Sequence, residues 1–78
     1  MSSIHDPRYS KLITLLITIR EDKAITQVEL ATSLKKHQSY VAKVENFDRR
    51  LDIIELNDWL KELNVTLSEF VQILDIDN

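Results

Sequence analysis

The chain has 78 residues, thirteen Asp and Glu against ten Lys and Arg, a net charge of −3, no Cys, no Gly and a single Pro. At 44 % apolar it can be globular, and its length suits one small domain, residues 1–78, with a marginal core that oligomerisation would help. The missing Cys excludes a disulfide framework, thiol catalysis and Cys-ligated zinc; the missing Gly excludes Gly-rich phosphate cradles and most tight hairpins.

Two His, at 5 and 37, argue against a His-only metal site, so no metal and no cofactor is expected. No apolar run approaches the ~18–20 residues that span a bilayer. The longest, Leu12–Ile19, is broken by Thr14 and Thr18 and has no cleavage site after it. A cytoplasmic protein is the expectation. Helix formers such as Leu, Glu and Lys favour an all-α fold.

The first helix is expected over 7–22. Asp6 caps it and Pro7 takes the first helical position, where its missing N–H costs nothing. Leu12, Leu15, Leu16 and Ile19 form its stripe, widened by Ile13 and Ile17. Thr26-Gln-Val-Glu29 is a capping box and opens a second helix over 27–34, with Val28, Leu30, Ala31 and Leu34 inward. Three residues, Lys35, Lys36 and His37, separate it from a third helix over 38–46. Val41 and Val44 turn that helix inward; Gln38, Ser39, Ala42 and Lys43 face out. Asp52-Ile-Ile-Glu55 opens a fourth helix over 53–63, which buries Ile53, Leu56, Leu60 and Leu63, with Ile54 and Trp59 beside that face. Asn64 tolerates the left-handed cap that ends it. Thr66-Leu-Ser-Glu69 opens a fifth helix over 67–74. Its Phe70, Ile73 and Leu74 exceed what one core stripe needs, and are expected to form a two-fold dimer seam. Short disordered ends are expected at 1–5 and 75–78.

Charge is unevenly spread. Residues 1–26 carry net +1, residues 27–50 net +2, and residues 51–78 net −6. A basic face can meet phosphate while the acids lie elsewhere. Residues 26–45 have the form of two short helices joined by a tight turn, with Ala31 small where the second crosses closely. The outer face of the second is short and polar. Gln offers donor and acceptor to adenine, Ser reads either kind of edge, Ala meets a thymine methyl, and Lys reaches guanine or phosphate. No nucleophile–base pair or acid–base pocket is evident, so an enzyme is not expected.

Thr26-Gln27-Val28-Glu29-Leu30-Ala31, then Gln38 through Asn46, then Arg49-Arg50-Leu51-Asp52 resemble the Cro/repressor-type, XRE-like helix-turn-helix family over about residues 8–74. That family includes phage repressors, restriction–modification controllers and many antitoxins. The resemblance implies a five-helix, lambda-repressor-like bundle that binds a palindromic operator as a homodimer, its third helix in the major groove. It implies base reading by Gln38, Ser39 and Lys43. It implies phosphate contacts by Gln27, Tyr40, Asn46 and Arg49, with Glu45 fixing the loop that follows. His37, otherwise a cap or turn residue, and Arg50 are candidate phosphate contacts beside them. Arg50 has a second option, pairing with Asp48 or Asp52.

Two positions depart from the family. Lys35 and Phe47 stand where Gly is common. If Lys35 needs positive φ, its side chain costs ~1 kcal/mol. Phe47 would reshape the loop, plug the core or join the dimer seam. The function expected is a homodimeric, sequence-specific repressor or autoregulator of phage-repressor or restriction–modification-controller type. The alternative is an antitoxin-like interaction module whose acidic last third binds a protein. A toxin or RNA polymerase is the candidate protein partner.

Overall fold

The structure is a computed structural model and describes residues 4–75. The expectations for residues 1–3 and 76–78 lie outside the described residues. Five helices follow one another: α1 (Pro7–Asp22), α2 (Gln27–Leu34), α3 (Gln38–Glu45), α4 (Ile53–Glu62) and α5 (Leu67–Leu74). The expected ends of the third and fourth helices fall one residue further, on the cap positions Asn46 and Leu63. Instead of being disordered, Ile4 packs against the core, and His5 lies in the turn before α1.

Local chemistry starts four of these helices. The Asp6 carboxylate accepts from the Arg8 backbone N–H at 2.8 Å. Three reciprocal capping boxes open α2, α4 and α5. In each, the cap side chain accepts from the Glu N–H, while that Glu accepts from the cap N–H. Helix α3 alone has a cap residue, His37, with no side-chain capping bond.

Stopping is harder without Gly. Ala24, Lys35, Phe47, Asn64 and Asp75 all take positive φ, from 49° to 63°. The first four close Schellman turns. For Lys35, its own N–H donates to the Thr32 carbonyl and the next N–H, of Lys36, to that of Ala31. The same pair of bonds recurs at Ala24, Phe47 and Asn64. A side chain in this region costs roughly 1–2 kcal/mol, a burden that packing must offset. Phe47 keeps the left-handed turn and also plugs the core, its ring edge-on to Tyr9 at 6.4 Å.

One core joins all five helices, centred on Ile13, Leu16, Leu30, Val41, Val44, Trp59, Leu60, Leu63 and Phe70. Helix α3 packs on α2 and α1, α4 on α2, and α5 on α1 and α4. The buried row of α1 is Tyr9, Ile13, Leu16 and Arg20; the expected Leu12, Leu15 and Ile19 flank it, half-buried.

Several expectations need correction. Val28, Ile53 and Ile54 are exposed, at 57 %, 58 % and 69 %. Each lies in the first turn of its helix, beside an exposed cap, and the row reaches the core only at Leu30 and Leu56. Phe70 and Leu74, expected at a dimer seam, are buried at 0 % and 4 % exposure. They fill the space where α5 meets α1 and α4, so neither ring nor side chain is available to a second copy. Ile73 stays outside at 61 %, next to Val71 at 57 %.

Candidate nucleic-acid interface

Helices α2 and α3 form a helix-turn-helix. Ala31, 2 % exposed, sits between them where a larger side chain would hold them apart. Val41 and Val44 fasten α3 to the core, so its opposite side is turned out: Gln38, Ser39 and Lys43 are exposed and Ala42 is half-buried.

A polar chain runs from the core to this face. Arg20 forks onto Glu45, Nε to Oε2 at 2.7 Å and Nη2 to Oε1 at 2.9 Å, and its Nη1 donates to the Ile25 carbonyl at 2.7 Å. Gln27 Nε2 donates to Glu45 Oε1 at 2.8 Å. Gln38 Nε2 in turn donates to Gln27 Oε1 at 3.0 Å. The buried ion pair therefore orients Gln27, and Gln27 orients the first residue of α3. Glu45, expected to fix the following loop, instead ties α3 to α1 and α2.

Arg20 escaped the sequence reading. The signal was present: it continues the row Tyr9, Ile13, Leu16, and Glu45 continues the row Val41, Val44. Two opposite charges on apolar rows of neighbouring helices must meet, because neither can be buried alone.

The loop after α3 is built on two tyrosines. The Tyr9 hydroxyl accepts from the Leu51 N–H at 3.1 Å, and the Arg50 guanidinium lies 4.7 Å from the Tyr9 ring centroid. Arg50 thus takes neither Asp48 nor Asp52 as a partner. The Tyr40 hydroxyl accepts from Trp59 Nε1 at 3.1 Å, and its rings meet edge-on at 6.1 Å. Burial pushes the Tyr40 hydroxyl above its usual range, so it stays protonated and can still donate. Arg49 lies 4.9 Å and Lys36 5.4 Å from the Tyr40 ring centroid.

These residues converge. Lys35, Lys36, His37, Ser39, Tyr40, Lys43 and Arg49 line an open cleft of about 300 Å³ with no carboxylate in its wall. Of the residues expected to touch DNA, the cleft gathers His37, Ser39, Tyr40, Lys43 and Arg49. Gln27 and Gln38 meet through their hydrogen bond. Asn46 is exposed at the other end of α3, in a separate hollow with Phe47 and Ser10. Lys35 and Lys36 join the cleft although neither was expected to touch DNA; their place in the turn was the available signal. Among the described residues, no three or more His, Cys, Asp or Glu are grouped as metal ligands, and no helix is long and apolar enough to cross a membrane.

A polar recognition face, a tight turn and a cationic wall define a helix-turn-helix DNA-binding domain. Comparison agrees. The profile of the helix-turn-helix family matches residues 16–70. A solved XRE-family like protein from Pseudomonas syringae pv. tomato str. DC3000 is 40 % identical, covering 92 % of this chain and 88 % of its own, with a TM-score of 0.86. No curated protein matches. The chain belongs to the Cro/repressor-type, XRE-like helix-turn-helix family, and it is a DNA-binding transcription regulator.

Proposed function

We propose that the protein is a homodimeric, sequence-specific repressor that acts on its own promoter from the cytoplasm. Helix α3 enters the major groove, with Gln38, Ser39 and Lys43 reading base edges. Gln27, His37, Tyr40, Asn46, Arg49 and Arg50 hold the phosphates on either side. Two copies place their recognition helices about 34 Å apart, one turn of the duplex, on a palindromic operator. Occupancy over a promoter then blocks polymerase sterically.

The observation that carries this reading is the hydrogen-bond chain from Arg20 through Glu45 and Gln27 to Gln38. It fixes a glutamine, the side chain suited to adenine, at the leading end of an exposed polar helix. A helix merely facing solvent needs no such support. Ile73 and Val71, the large apolar side chains α5 leaves exposed, are the seam this proposal assigns to the dimer. The same two residues, on the acidic last third, favour a second reading as an antitoxin-like module that binds a protein such as a toxin.

Fluorescence anisotropy tests the first reading. The probe is the duplex upstream of the protein's own gene, beside a scrambled duplex, at two salt concentrations. Tight, salt-weakened binding to the native duplex is expected. Equal, salt-insensitive binding to both would contradict it.

A further inference from the structure

One cation of the cleft already has a partner. Arg49 forks onto Glu55, with Nη2 to Oε2 at 2.8 Å and Nη1 to Oε1 at 3.2 Å. Among the described residues, Lys35, Lys36 and Lys43 make no ion pair. Glu55 does not line the cationic cleft. It lines the adjoining one, which shares Lys35, Lys36 and Tyr40 with it. The acid therefore stands behind the arginine, which rests on the Tyr40 ring.

Glu55 is held independently of Arg49. Its Oε1 accepts from the Asp52 N–H at 3.0 Å as half of the α4 capping box. The carboxylate stays in place when the arginine leaves. The pair is also exchangeable, since 42 % of the Arg49 side chain and 25 % of the Glu55 side chain face solvent. A phosphate offers the same planar fork an equally suitable acceptor.

We propose that Glu55 is a built-in counter-ion of Arg49, which a DNA backbone phosphate must displace, so that Glu55 restrains affinity for every duplex alike. The proposal rests on the DNA-binding reading above. Arg49 is then a latent phosphate contact, and Glu55 a residue that sets its strength without touching DNA. The carboxyl of Glu55 is held below its usual range, chiefly by the Arg49 hydrogen bond, so the pair is fully ionised at neutral pH. Restraint of this kind leaves discrimination to base contacts, because it lowers binding to specific and random sites together.

The test is a double-mutant cycle read by salt-dependent anisotropy on the native and scrambled duplexes. Glu55→Gln keeps the capping acceptor and removes the counter-ion. It is expected to tighten both duplexes and to steepen the salt slope by up to about 0.9, because in wild type salt also weakens the Arg49–Glu55 pair that the phosphate displaces and so offsets part of that contact's salt dependence. The gain is then up to about 3.5-fold larger at 50 mM than at 200 mM salt. In an Arg49→Ala background the same change is expected to do nothing. Asp58→Asn, a lost charge elsewhere on α4, is expected to leave the slope alone. An unchanged slope in Glu55→Gln, a gain that survives Arg49→Ala, or an equal gain from Asp58→Asn overturns the proposal while wild-type binding stands. A wild type with no salt-dependent duplex binding overturns the DNA reading and this proposal with it. Should Glu55→Gln not fold, Arg49→Lys keeps the charge but loses the fork; a steeper slope is expected, and an unchanged one overturns the proposal.

Discussion

Replacing Arg20 by Met separates what the buried ion pair does for stability from what it does for recognition. Arg20 and Glu45 are 8 % and 7 % exposed, and the guanidinium makes three hydrogen bonds, two to Glu45 and one to the Ile25 carbonyl. Arg20→Met leaves the Glu45 carboxylate buried with Gln27 as its remaining partner. Breaking a buried pair from one side costs about 3–5 kcal/mol. A chain of 78 residues has a total stability of roughly 4–12 kcal/mol at 0.05–0.15 kcal/mol per residue. Arg20→Met should therefore remove between about a quarter and all of that stability. The double variant Arg20→Met with Glu45→Leu removes both charges, and apolar replacements of a buried pair are often neutral or stabilising. It should regain most of the lost stability. Its Gln27 no longer has Glu45 to orient it, so Gln38 loses its support, and the native duplex should lose its advantage over the scrambled one. Urea unfolding followed by the fluorescence of Trp59, the one Trp and 1 % exposed, reports the first effect. Anisotropy on the two duplexes reports the second. A single variant within about 1 kcal/mol of wild type would refute the stability argument, since even one ordinary hydrogen bond is worth that much. A stable double variant with undiminished discrimination would refute the link from Glu45 to the reading face.

Other outcomes follow from particular residues. Ala24→Gly relieves an exposed left-handed alanine at φ 57° and should raise the melting temperature by a few degrees, about 4–8 °C per kcal/mol in a domain of this size; a lower melting temperature would count against strain there. Asp6 has its carboxyl held down at about 2 by hydrogen bonds from the Arg8 side chain and backbone. A depressed folded value means that its stabilisation is complete above its ordinary value of 3.8 and is lost as pH falls towards 2. Asp6→Asn keeps a capping oxygen but should flatten the fall in melting temperature between those limits, and an unaltered profile would contradict it. Gln38→Ala should cost about 1–3 kcal/mol on the native duplex and much less on the scrambled one; equal losses would remove Gln38 from base reading. Ile73→Asp should turn the dimer into a monomer at micromolar concentration in light scattering, and a persistent dimer would move the seam off α5.

Much of the fold was legible because its signals are local. A capping box joins residues three apart, so Thr26 and Glu29, Asp52 and Glu55, and Thr66 and Glu69 announce helix starts whatever surrounds them. The polar outer face of α3 was legible too, since Val41 and Val44 leave one side free. Other features could be read only as alternatives. Phe47 had three possible roles in sequence; in the structure its ring goes to Tyr9 while its backbone keeps the left-handed turn. Val28 and Ile53 obey the helical period yet lie outside, because periodicity gives a direction around the helix and not how far the neighbouring helices extend along it.

The sequence by itself determined the five helices, the tight turn between the second and third, and the family these define. Those depend on capping, chain stiffness and side-chain spacing, which act over a few residues. Only the tertiary structure decided that Phe70 and Leu74 belong to the core and Ile73 to the surface. It alone joined Arg20 to Glu45 across 25 positions, and set Arg49 on Glu55 and Arg50 on the Tyr9 ring. Each of those side chains had several acceptable partners in the sequence, and helix packing brought one of them within a few ångströms.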